Sequence, residues 1–183
     1  MQEPRHHRFD TLVAPHLETL FRMAYRLLRN TADAQDLVQD TCLAACDNLE
    51  AIAASEPPIK WLLRVQHNRF IDLVRRRGRS PVVTTDDLEG PASVSDLPDP
   101  EQLLQQFQSE QLLQRAFLQL DAMQRTLLSL RAEGYDLREI ESITGVSATV
   151  LSARLNRARV RLAQLIADAD HSAAEARHIG SAR

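Results

Sequence analysis

Apolar residues recur at intervals of three and four along most of the chain, which is the spacing that places side chains on one face of an α-helix. Strand-forming aromatic residues are scarce, at 4% of the sequence, and there are only 5 glycines. The pattern and the composition together predict an all-α protein. The predicted helices cover residues 9–29, 32–49, 59–77, 101–120 and 122–132.

Short polar breaks separate the first three of these helices. Asn30 and Thr31 interrupt the first apolar pattern, and either can cap the helix that follows. Residues 50–58 predict a loop because they end in Pro57 and Pro58, and a residue that precedes proline is biased away from the helical conformation.

The last helical stretch is divided in two by a turn. Asp136 can cap a short first helix, and Glu139 stands where a capping box needs it. Gly145 suits the left-handed position that ends a helix, and Ser147 can cap the next one. The second helix would bury one apolar face, made by Leu151, Leu155, Ala158, Leu162 and Ile166. A separate basic stripe is made by Arg154, Arg157 and Arg161.

A short helix, a glycine turn and a basic second helix together follow the plan of the helix-turn-helix motif. In that motif the second helix enters the major groove of DNA. An ordinary pair of packed helices with a solvated arginine face would show a similar pattern, because arginine is also a good helix former. The spacing favours the DNA-binding interpretation and leaves the other open.

The outer face of the third helix is basic and carries an aromatic residue and an amide. Its residues are Trp61, Arg64, Asn68, Arg69, Asp72, Arg75 and Arg76. Such a face suits a nucleic-acid backbone and unstacked bases. The alternative is a solvated charged face, and for Trp61 itself the sequence favours packing against the core.

The region that follows the third helix has the composition of a linker. Residues 81–100 contain Pro81, Pro91, Pro98 and Pro100 among serine, threonine and aspartate. The 183-residue chain has a net charge of −3, but residues 81–110 hold 7 acidic and no basic side chains, whereas both flanking regions are mildly basic at +2 each. The predicted organisation is a domain at 1–80, a flexible acidic linker at 81–104, a second domain at 105–167 and a frayed tail at 168–183.

The two cysteines of the sequence, Cys42 and Cys46, lie four residues apart on the second predicted helix. We expect both to face the core. A disulfide across one helical turn has poor geometry, so two small buried side chains are the favoured interpretation. A redox or metal-binding pair is the alternative.

The sequence contains no recognisable catalytic arrangement. It lacks a phosphate-binding glycine loop, a His-Glu-x-x-His motif, a spaced cysteine set and a Gly-x-Ser-x-Gly motif. We therefore expect no catalytic residues, no metal site and no cofactor. The sequence also lacks a run of about 18 apolar residues and a signal-peptide core, which predicts a cytoplasmic protein with no membrane insertion.

Two segments of the first predicted domain resemble one known family, the extracytoplasmic-function sigma factors (group 4 of the sigma-70 family). Residues 33–43, Asp-Ala-Gln-Asp-Leu-Val-Gln-Asp-Thr-Cys-Leu, look like the family's helix that docks on the clamp helices of the RNA polymerase β′ subunit. Residues 61–68, Trp-Leu-Leu-Arg-Val-Gln-His-Asn, with Asp72 and the arginines 75–77, look like the helix that melts and reads the −10 promoter element.

The second predicted domain resembles the part of the same family that reads the −35 element. The similarity lies in Leu-Asp-Ala-Met-Gln-Arg at 120–125, in Arg131, in Glu139-Ile140, in Gly145-Val146 and in Arg-Leu-Asn-Arg-Ala-Arg at 154–159. The three matching segments occur in the family's order, with an acidic linker between them. The resemblance implies two small helical domains, a sigma region 2 bundle and a sigma region 4 helix-turn-helix.

The resemblance also implies a function and partners. The chain would be a sigma factor that directs RNA polymerase core to promoters and helps to melt the −10 element. It would contact the β′ clamp helices and the β flap, be controlled by an anti-sigma factor, and be a monomer when free. Contacts to polymerase would come from Asp36, Gln39 and Asp40. Contacts to the −10 element would come from Lys60, Trp61, Arg64, Asn68, Arg69, Asp72, Arg75 and Arg76. Contacts to the −35 element would come from Arg138, Ser147, Thr149, Ser152, Ala153, Arg154 and Arg157.

One departure from the family pattern keeps an alternative open. Residues 149–153 read Thr-Val-Leu-Ser-Ala where the family often has Gly-Thr-Val-Lys-Ser, so a basic side chain that is common at the −35 site is missing. The competing hypothesis is a sigma-like decoy that binds an anti-sigma protein without initiating transcription. A two-domain repressor is a further possibility, but it would need a dimer surface, and the sequence offers no apolar stripe for one.

Overall fold

The structure, a computed structural model, describes residues 5–55, 57–78 and 100–180, and in 100–108 and 172–180 it describes the course of the helix alone. Within these residues the chain is helical and contains no strand, as the sequence predicts. The helices are α1 (Arg5–Leu12), a 3-10 helix (Ala14–His16), α2 (Leu17–Leu28), α3 (Thr31–Asp47), α4 (Leu49–Ala53), α5 (Pro58–Arg77), α6 (Pro100–Leu118), α7 (Ala122–Ala132), α8 (Leu137–Thr144) and α9 (Ala148–Gly180).

Several helices begin and end where the local sequence predicts. Asn30 caps α3, and its side chain accepts a 2.9 Å hydrogen bond from the backbone N–H of Asp33. Asp136 and Glu139 form a reciprocal capping box at the start of α8, with hydrogen bonds of 2.8 and 2.9 Å. Gly145 ends α8 at a φ of 72°, a left-handed conformation in which most side chains would be strained.

The first predicted helix, over residues 9–29, is wrong as a single element. Pro15 lies inside it, and proline removes one helical hydrogen bond and clashes with the preceding turn. The structure accordingly places the 3-10 helix Ala14–His16 between α1 and α2, and Pro15 lies in its first turn.

Two further predicted boundaries are corrected. The loop predicted at 50–58 contains most of the short helix α4, because Leu49 and Ile52 are buried against the core. The tail predicted to fray from residue 168 is helical as far as Gly180, where α9 ends. Its sequence is rich in alanine, which has the highest helix propensity of the amino acids.

The predicted acidic linker is described only in part. Residues 81–99 lie outside the described residues. Helix α6 begins at Pro100, inside the range 81–104 that was predicted to be linker. Proline is favoured in the first turn of a helix because the N–H group that it lacks would have no helical partner there.

The N-terminal half (residues 5–78) and the C-terminal half (residues 100–180) share one buried apolar cluster. Helix α7 packs against α2 and α5, and α8 packs along α5. The cluster contains Leu20, Leu27, Leu62 and Phe70 from the first half and Leu127, Leu130, Ile140 and Ile143 from the second. A smaller cluster within the C-terminal half contains Ala116, Phe117, Leu120 and Leu165. The sequence left open whether the halves are packed together, and the structure shows them in contact.

The two cysteines do not both face the core, which corrects the sequence prediction. Cys42 is half-buried and Cys46 is exposed, and both thiols are free. Ala45, one residue before Cys46 on α3, is fully buried and faces the core. In the part of the chain that the structure describes, His, Cys, Asp and Glu side chains do not gather in threes as a metal site would require.

Candidate nucleic-acid and polymerase surfaces

An acidic surface lies on the solvent side of α3. Asp36, Gln39 and Asp40 are all exposed. Their spacing of three and one residues places them on one side of the helix, while Leu37 and Thr41 face the core. We call these three residues the α3 surface. Its carboxylates and amide can accept hydrogen bonds from basic groups of a partner.

A second surface follows α5. The α5 surface comprises the residues predicted to contact the −10 element: Lys60, Trp61, Arg64, Asn68, Arg69, Asp72, Arg75 and Arg76. Part of it is an exposed stripe, made by Arg64, Asn68, Asp72, Arg75 and Arg76. The other side of the helix buries Leu62, Gln66 and Phe70, which fixes the direction of the stripe. Guanidinium groups on such a stripe can donate hydrogen bonds to phosphates, and Asn68 can pair with a base edge.

The remaining residues of the α5 surface contact other parts of the protein. The Lys60 ammonium lies 3.3 Å from a carboxylate oxygen of Glu139 on α8. Trp61 is half-buried and packs against the core that the two halves share. Arg69 lies 4.0 Å from Asp40 of the α3 surface. The first turn of α5 is therefore held by the C-terminal half, whereas the stripe beyond it faces solvent.

Arg77, in the basic run that ends α5, has a structural contact. Its guanidinium donates two hydrogen bonds to the carboxylate of Asp33, at 2.6 and 2.8 Å. The hydrogen bond raises the pKa of Arg77 above its ordinary value. Paired bonds of this kind fix orientation as well as distance. They hold the end of α5 against the start of α3.

A third surface lies at the turn between α8 and α9. The α9 surface comprises the residues predicted to contact the −35 element: Arg138, Ser147, Thr149, Ser152, Ala153, Arg154 and Arg157. Arg154 is half-exposed, and the other six residues are exposed. Leu151, Leu155 and Ala158 anchor the other side of the helix in the core. Ser147 and Thr149 lie together, with 3.1 Å between their hydroxyl oxygens. The first turns of α9 thus present short polar and basic side chains to solvent.

Comparison with known proteins identifies the family. Residues 12–80 match the family model of sigma-70 region 2. The extracytoplasmic-function RNA polymerase sigma factor SigE of Mycolicibacterium smegmatis is 32% identical over 162 residues, which are 87% of this chain and 62% of SigE. The RNA polymerase sigma factor CnrH of Cupriavidus metallidurans is 32% identical over 168 residues, 88% of this chain and 87% of CnrH. The chain belongs to the extracytoplasmic-function sigma factors. The family predicted from the sequence is confirmed.

Solved structures of two sigma factors are also similar to this one. The sigma factor RpoE in complex with the anti-sigma factor NepR from Bartonella quintana has a TM-score of 0.67 at 27% identity, covering 86% of this chain and 96% of RpoE. CnrH in complex with the cytosolic domain of CnrY has a TM-score of 0.58 at 27% identity, covering 88% of both chains. Coverage of this extent includes residues of both halves. The predicted class of two helical domains is confirmed.

The residues that join the two halves were not predicted from the sequence. His67 is buried on α5 and its ring nitrogen Nδ1 lies 3.1 Å from the hydroxyl of Thr126 on α7. Glu133, just after α7, contacts two arginines of α2. Arg125 donates a 3.0 Å hydrogen bond to the carbonyl of Leu27. The signal in the sequence was partial: helical spacing places Gln66 and His67 beside the buried positions of α5, but nothing in it names their partners.

Length and hydropathy of the helices bear on the membrane prediction. Across residues 5–55, 57–78 and 100–180, none of the helices combines enough length with enough apolar sequence to cross a bilayer. Helices α5 and α9 are the longest, at 20 and 33 residues, and both carry several arginines.

Proposed function

We propose that this chain directs RNA polymerase core to specific promoters and helps to open the −10 element. The observation that carries the proposal is the extent of the similarity: relatives named as RNA polymerase sigma factors match 87% and 88% of the chain, so both halves are included. In this proposal the α3 surface binds the β′ clamp helices, the α5 surface lies along the −10 strand, and the α9 surface enters the −35 groove. The C-terminal half also contacts the β flap.

The mechanism proposed for the α5 surface is capture of unpaired bases. Arg64, Arg75 and Arg76 would hold the phosphates of one strand, and Asn68 would hydrogen-bond an exposed base edge. Binding energy gained only by unpaired bases favours strand separation. The protein would contribute position and affinity and no bond-making chemistry, so we propose that it is not an enzyme.

The α9 surface would anchor the complex on duplex DNA upstream. Arg154 and Arg157 would approach the major groove from the first turns of α9, and Arg138 would reach a phosphate. Few basic groups take part, so the free protein should bind duplex DNA weakly and with a shallow salt dependence.

We also propose that an anti-sigma protein controls this chain in the cytoplasm. Both similar solved structures are complexes of a sigma factor, one with the anti-sigma factor NepR and one with the cytosolic domain of CnrY. The exposed α3 surface and the exposed stripe of α5 are the surfaces that such a protein would have to cover to prevent initiation.

Run-off transcription on a pooled promoter library, with core polymerase and with or without this protein, tests the proposal. We expect new start sites that share −10 and −35 elements. The double variant Asn68→Ala with Arg75→Ala should reduce initiation by at least about tenfold, because two contacts of roughly 1 kcal/mol or more are removed. Arg115→Ala, an exposed arginine of α6 outside all three surfaces, is the matched control and should leave initiation unchanged.

One observation supports a second candidate function, a decoy that binds an anti-sigma protein. In the α9 surface, Ser152 stands where the family pattern often has a lysine. Polymerase binding without any initiation across the library, or no polymerase binding at all, would favour the decoy and contradict the primary proposal.

A further inference from the structure

The two halves are joined by charged contacts in addition to the shared core. Glu133 lies between Arg22 and Arg26 of α2, at 3.0 and 2.8 Å. The hydrogen bond from Arg22 holds the pKa of Glu133 below its ordinary value. Arg125 of α7 reaches the other end of α2 and donates to the carbonyl of Leu27. The guanidinium of Arg125 also lies 5.1 Å from the ring centre of Phe70, a distance typical of a cation–π contact.

This arrangement is incompatible with simultaneous binding to the two promoter elements. At a rise of 3.4 Å per base pair, elements centred near −35 and −10 lie roughly 80 Å apart along the duplex. A compact body of this chain length has a radius of gyration of about 16 Å. Lys60 of the α5 surface is in contact with Glu139, one residue from Arg138 of the α9 surface. The halves therefore have to separate before both elements can be read.

His67 lies at the centre of the contact between the halves. It is 5% exposed, and its Nδ1 is 3.1 Å from the Thr126 hydroxyl oxygen. That hydroxyl donates its own hydrogen to the carbonyl of Ala122 at 3.0 Å, so it accepts from the ring. This pairing suits the neutral tautomer with hydrogen on Nδ1, in which an added proton would go to Nε2.

The surroundings of His67 are apolar or uncharged. It borders a small cavity between the halves that is otherwise lined by Met23, Leu27, Leu63, Gln66, Thr126, Leu130 and Ile143. Gln66 Oε1 is buried there without a hydrogen-bond partner, and an amide oxygen does not neutralise a full positive charge. Burial lowers the pKa of His67 from 6.5 to about 4.

The charged groups on the helices around His67 are engaged elsewhere. On α2 they are Glu18, which is exposed and lies 3.7 Å from Arg22, and Arg22 and Arg26, which pair with Glu133 at the end of α7. On α7 itself Arg125 contacts Phe70, and on α8 Glu139 pairs with Lys60 of α5. No carboxylate contributes to the pKa of His67, for which burial is the single cause. A protonated His67 would thus be an uncompensated charge buried between the halves.

We propose that the contact between the halves is a closed resting state of the sigma factor, and that protonation of His67 opens it. In the closed state Lys60, in the first turn of α5, is held against Glu139 of the C-terminal half, and the two promoter-reading surfaces are too close together. Opening frees the α5 surface and lets the halves separate. The significance of the closed state for transcription rests on the proposed function, but its existence and its pH dependence do not.

The direction and size of the effect follow from proton linkage. His67 has a lowered pKa in the closed state and its ordinary pKa of 6.5 when exposed, so the open state binds the proton more tightly. The contribution of neutral His67 to the stability of the closed state is complete above pH 6.5 and is lost as the pH falls toward 4. Between pH 7 and pH 5 the open-to-closed ratio should rise about 20-fold.

A buried thiol at the contact measures opening in the full-length free protein. Ser129 on α7 is 1% exposed, and its carbonyl accepts a hydrogen bond from Arg26 of the other half. Ser129→Cys, in a chain that also carries Cys42→Ser and Cys46→Ser, should react with 4,4′-dithiodipyridine only when the halves part. Dividing its rate by that of an unstructured cysteine peptide at each pH gives the opening constant.

We expect this constant to rise about 20-fold from pH 7 to pH 5 with unchanged helix content by circular dichroism. His67→Asn keeps a donor near the Nδ1 position and cannot titrate, so its opening constant should vary less than about twofold. His16→Asn, which replaces a partly buried histidine of the N-terminal half, should retain the full rise. An equal rise in His67→Asn, a flat profile in the parent, or a rise accompanied by helix loss would overturn the proposal.

A second measurement covers the case in which His67→Asn does not fold. His67→Gln is the alternative variant with the same expectation. In the parent protein, the ring of His67 can also be titrated directly by NMR. A ring pKa clearly below 5.5 with intact helices would support the closed state, whereas a pKa near 6.5 would overturn it. None of these measurements requires polymerase or promoter DNA, so their failure is distinct from failure of the proposed function.

Discussion

The α9 surface and the α5 surface are both expected to bind DNA, but they differ in how the protein holds them. The first turns of α9 project short polar and basic side chains into solvent, and only its apolar side is packed. Helix α5 lies in the middle of the molecule and contacts α2, α3, α4, α7 and α8. Lys60, Trp61 and Arg69 of the α5 surface are engaged within the protein.

This difference has a consequence for the order of events at a promoter. A surface that is already exposed can meet duplex DNA without rearrangement, whereas a surface that is partly covered needs the free energy of opening first. The apparent affinity of the covered surface is reduced by the fraction of molecules that are open. Among the contacts between the halves, removal of the buried ones should therefore change behaviour most and removal of the exposed ones least.

The largest effect is expected from Leu130→Ala. Leu130 is 1% exposed and lines the cavity between the halves. Truncation removes buried apolar contacts and should lower the free energy of unfolding by about 2–5 kcal/mol. Urea unfolding followed by the emission of Trp61, the single tryptophan of the chain, measures the change.

Leu165→Ala is the matched control for Leu130→Ala. Leu165 is also buried, but in the smaller cluster within the C-terminal half. It should destabilise that half without shifting the Trp61 emission of the native protein, whereas Leu130→Ala should shift it to the red. Equal shifts from the two variants would show that Trp61 does not report the contact between the halves.

Glu133→Gln should have the next largest effect. It removes the charge that pairs with Arg22 and Arg26, and loss of charge-assisted hydrogen bonds at a mostly buried site should destabilise closure by about 1–3 kcal/mol. The opening constant at Ser129→Cys, measured at pH 7, should rise accordingly. Glu18→Gln, which removes a fully exposed neighbour of Arg22, should leave it unchanged.

The contact of Glu133 with Arg22 and Arg26 also predicts how the stability of the protein depends on pH in the acidic range. The pKa of Glu133 is lowered in the folded protein, so its contribution is complete above its ordinary pKa of 4.5 and is lost as the pH falls through the lowered value. Stability measured from pH 6 to pH 3 should therefore decline less steeply in Glu133→Gln than in the parent. Parallel curves would contradict the assignment.

The smallest effect is expected at the ion pair of Lys60 with Glu139. Both side chains are about one-third exposed, and exposed pairs typically contribute about 0.2–1 kcal/mol. Glu139 also belongs to the capping box of α8, so a double-mutant cycle with Lys60→Gln and Glu139→Gln is needed to isolate the pair. The unfolding free energies of the parent, the two single variants and the double variant give the coupling energy between Lys60 and Glu139.

Arg157 of the α9 surface supplies the control for that cycle. Arg157→Gln combined with Glu139→Gln should be additive, because Arg157 is exposed on the first turns of α9. Coupling as large as that of Lys60 would mean that the α9 surface is also held by the fold, and the contrast between the two surfaces would disappear.

Much of the architecture was predictable because it depends on local sequence. Asp136, Glu139 and Gly145 define a helix start and end through hydrogen bonds and a backbone conformation within a few residues. The spacing of apolar residues gave the buried side of α5. Pro15 divided a predicted helix where its apolar spacing alone suggested continuity, and α4 formed because Leu49 and Ile52 reach the core.

The candidate surfaces were predicted from the sequence as residue sets, and their roles at polymerase and DNA stay predictions. The exposed stripe Arg64, Asn68 and Arg75 agrees with its predicted side of the helix. The partial burial of Trp61 agrees with the core packing that the sequence favoured. The exposure of Cys46 was not predicted, since a four-residue spacing does not show which of two neighbouring positions, 45 or 46, takes the centre of the buried face.

The sequence by itself determined most of the helices and many of their ends, the family and the sides on which charged residues fall, because each of these depends on neighbours in the chain or on motifs read residue by residue. Only the tertiary structure decided that the halves pack together. His67 meets Thr126 across 59 residues and Arg22 meets Glu133 across 111. Contacts at such separations depend on how whole helices pack, and a buried neutral histidine has the same letter in the sequence as an exposed one.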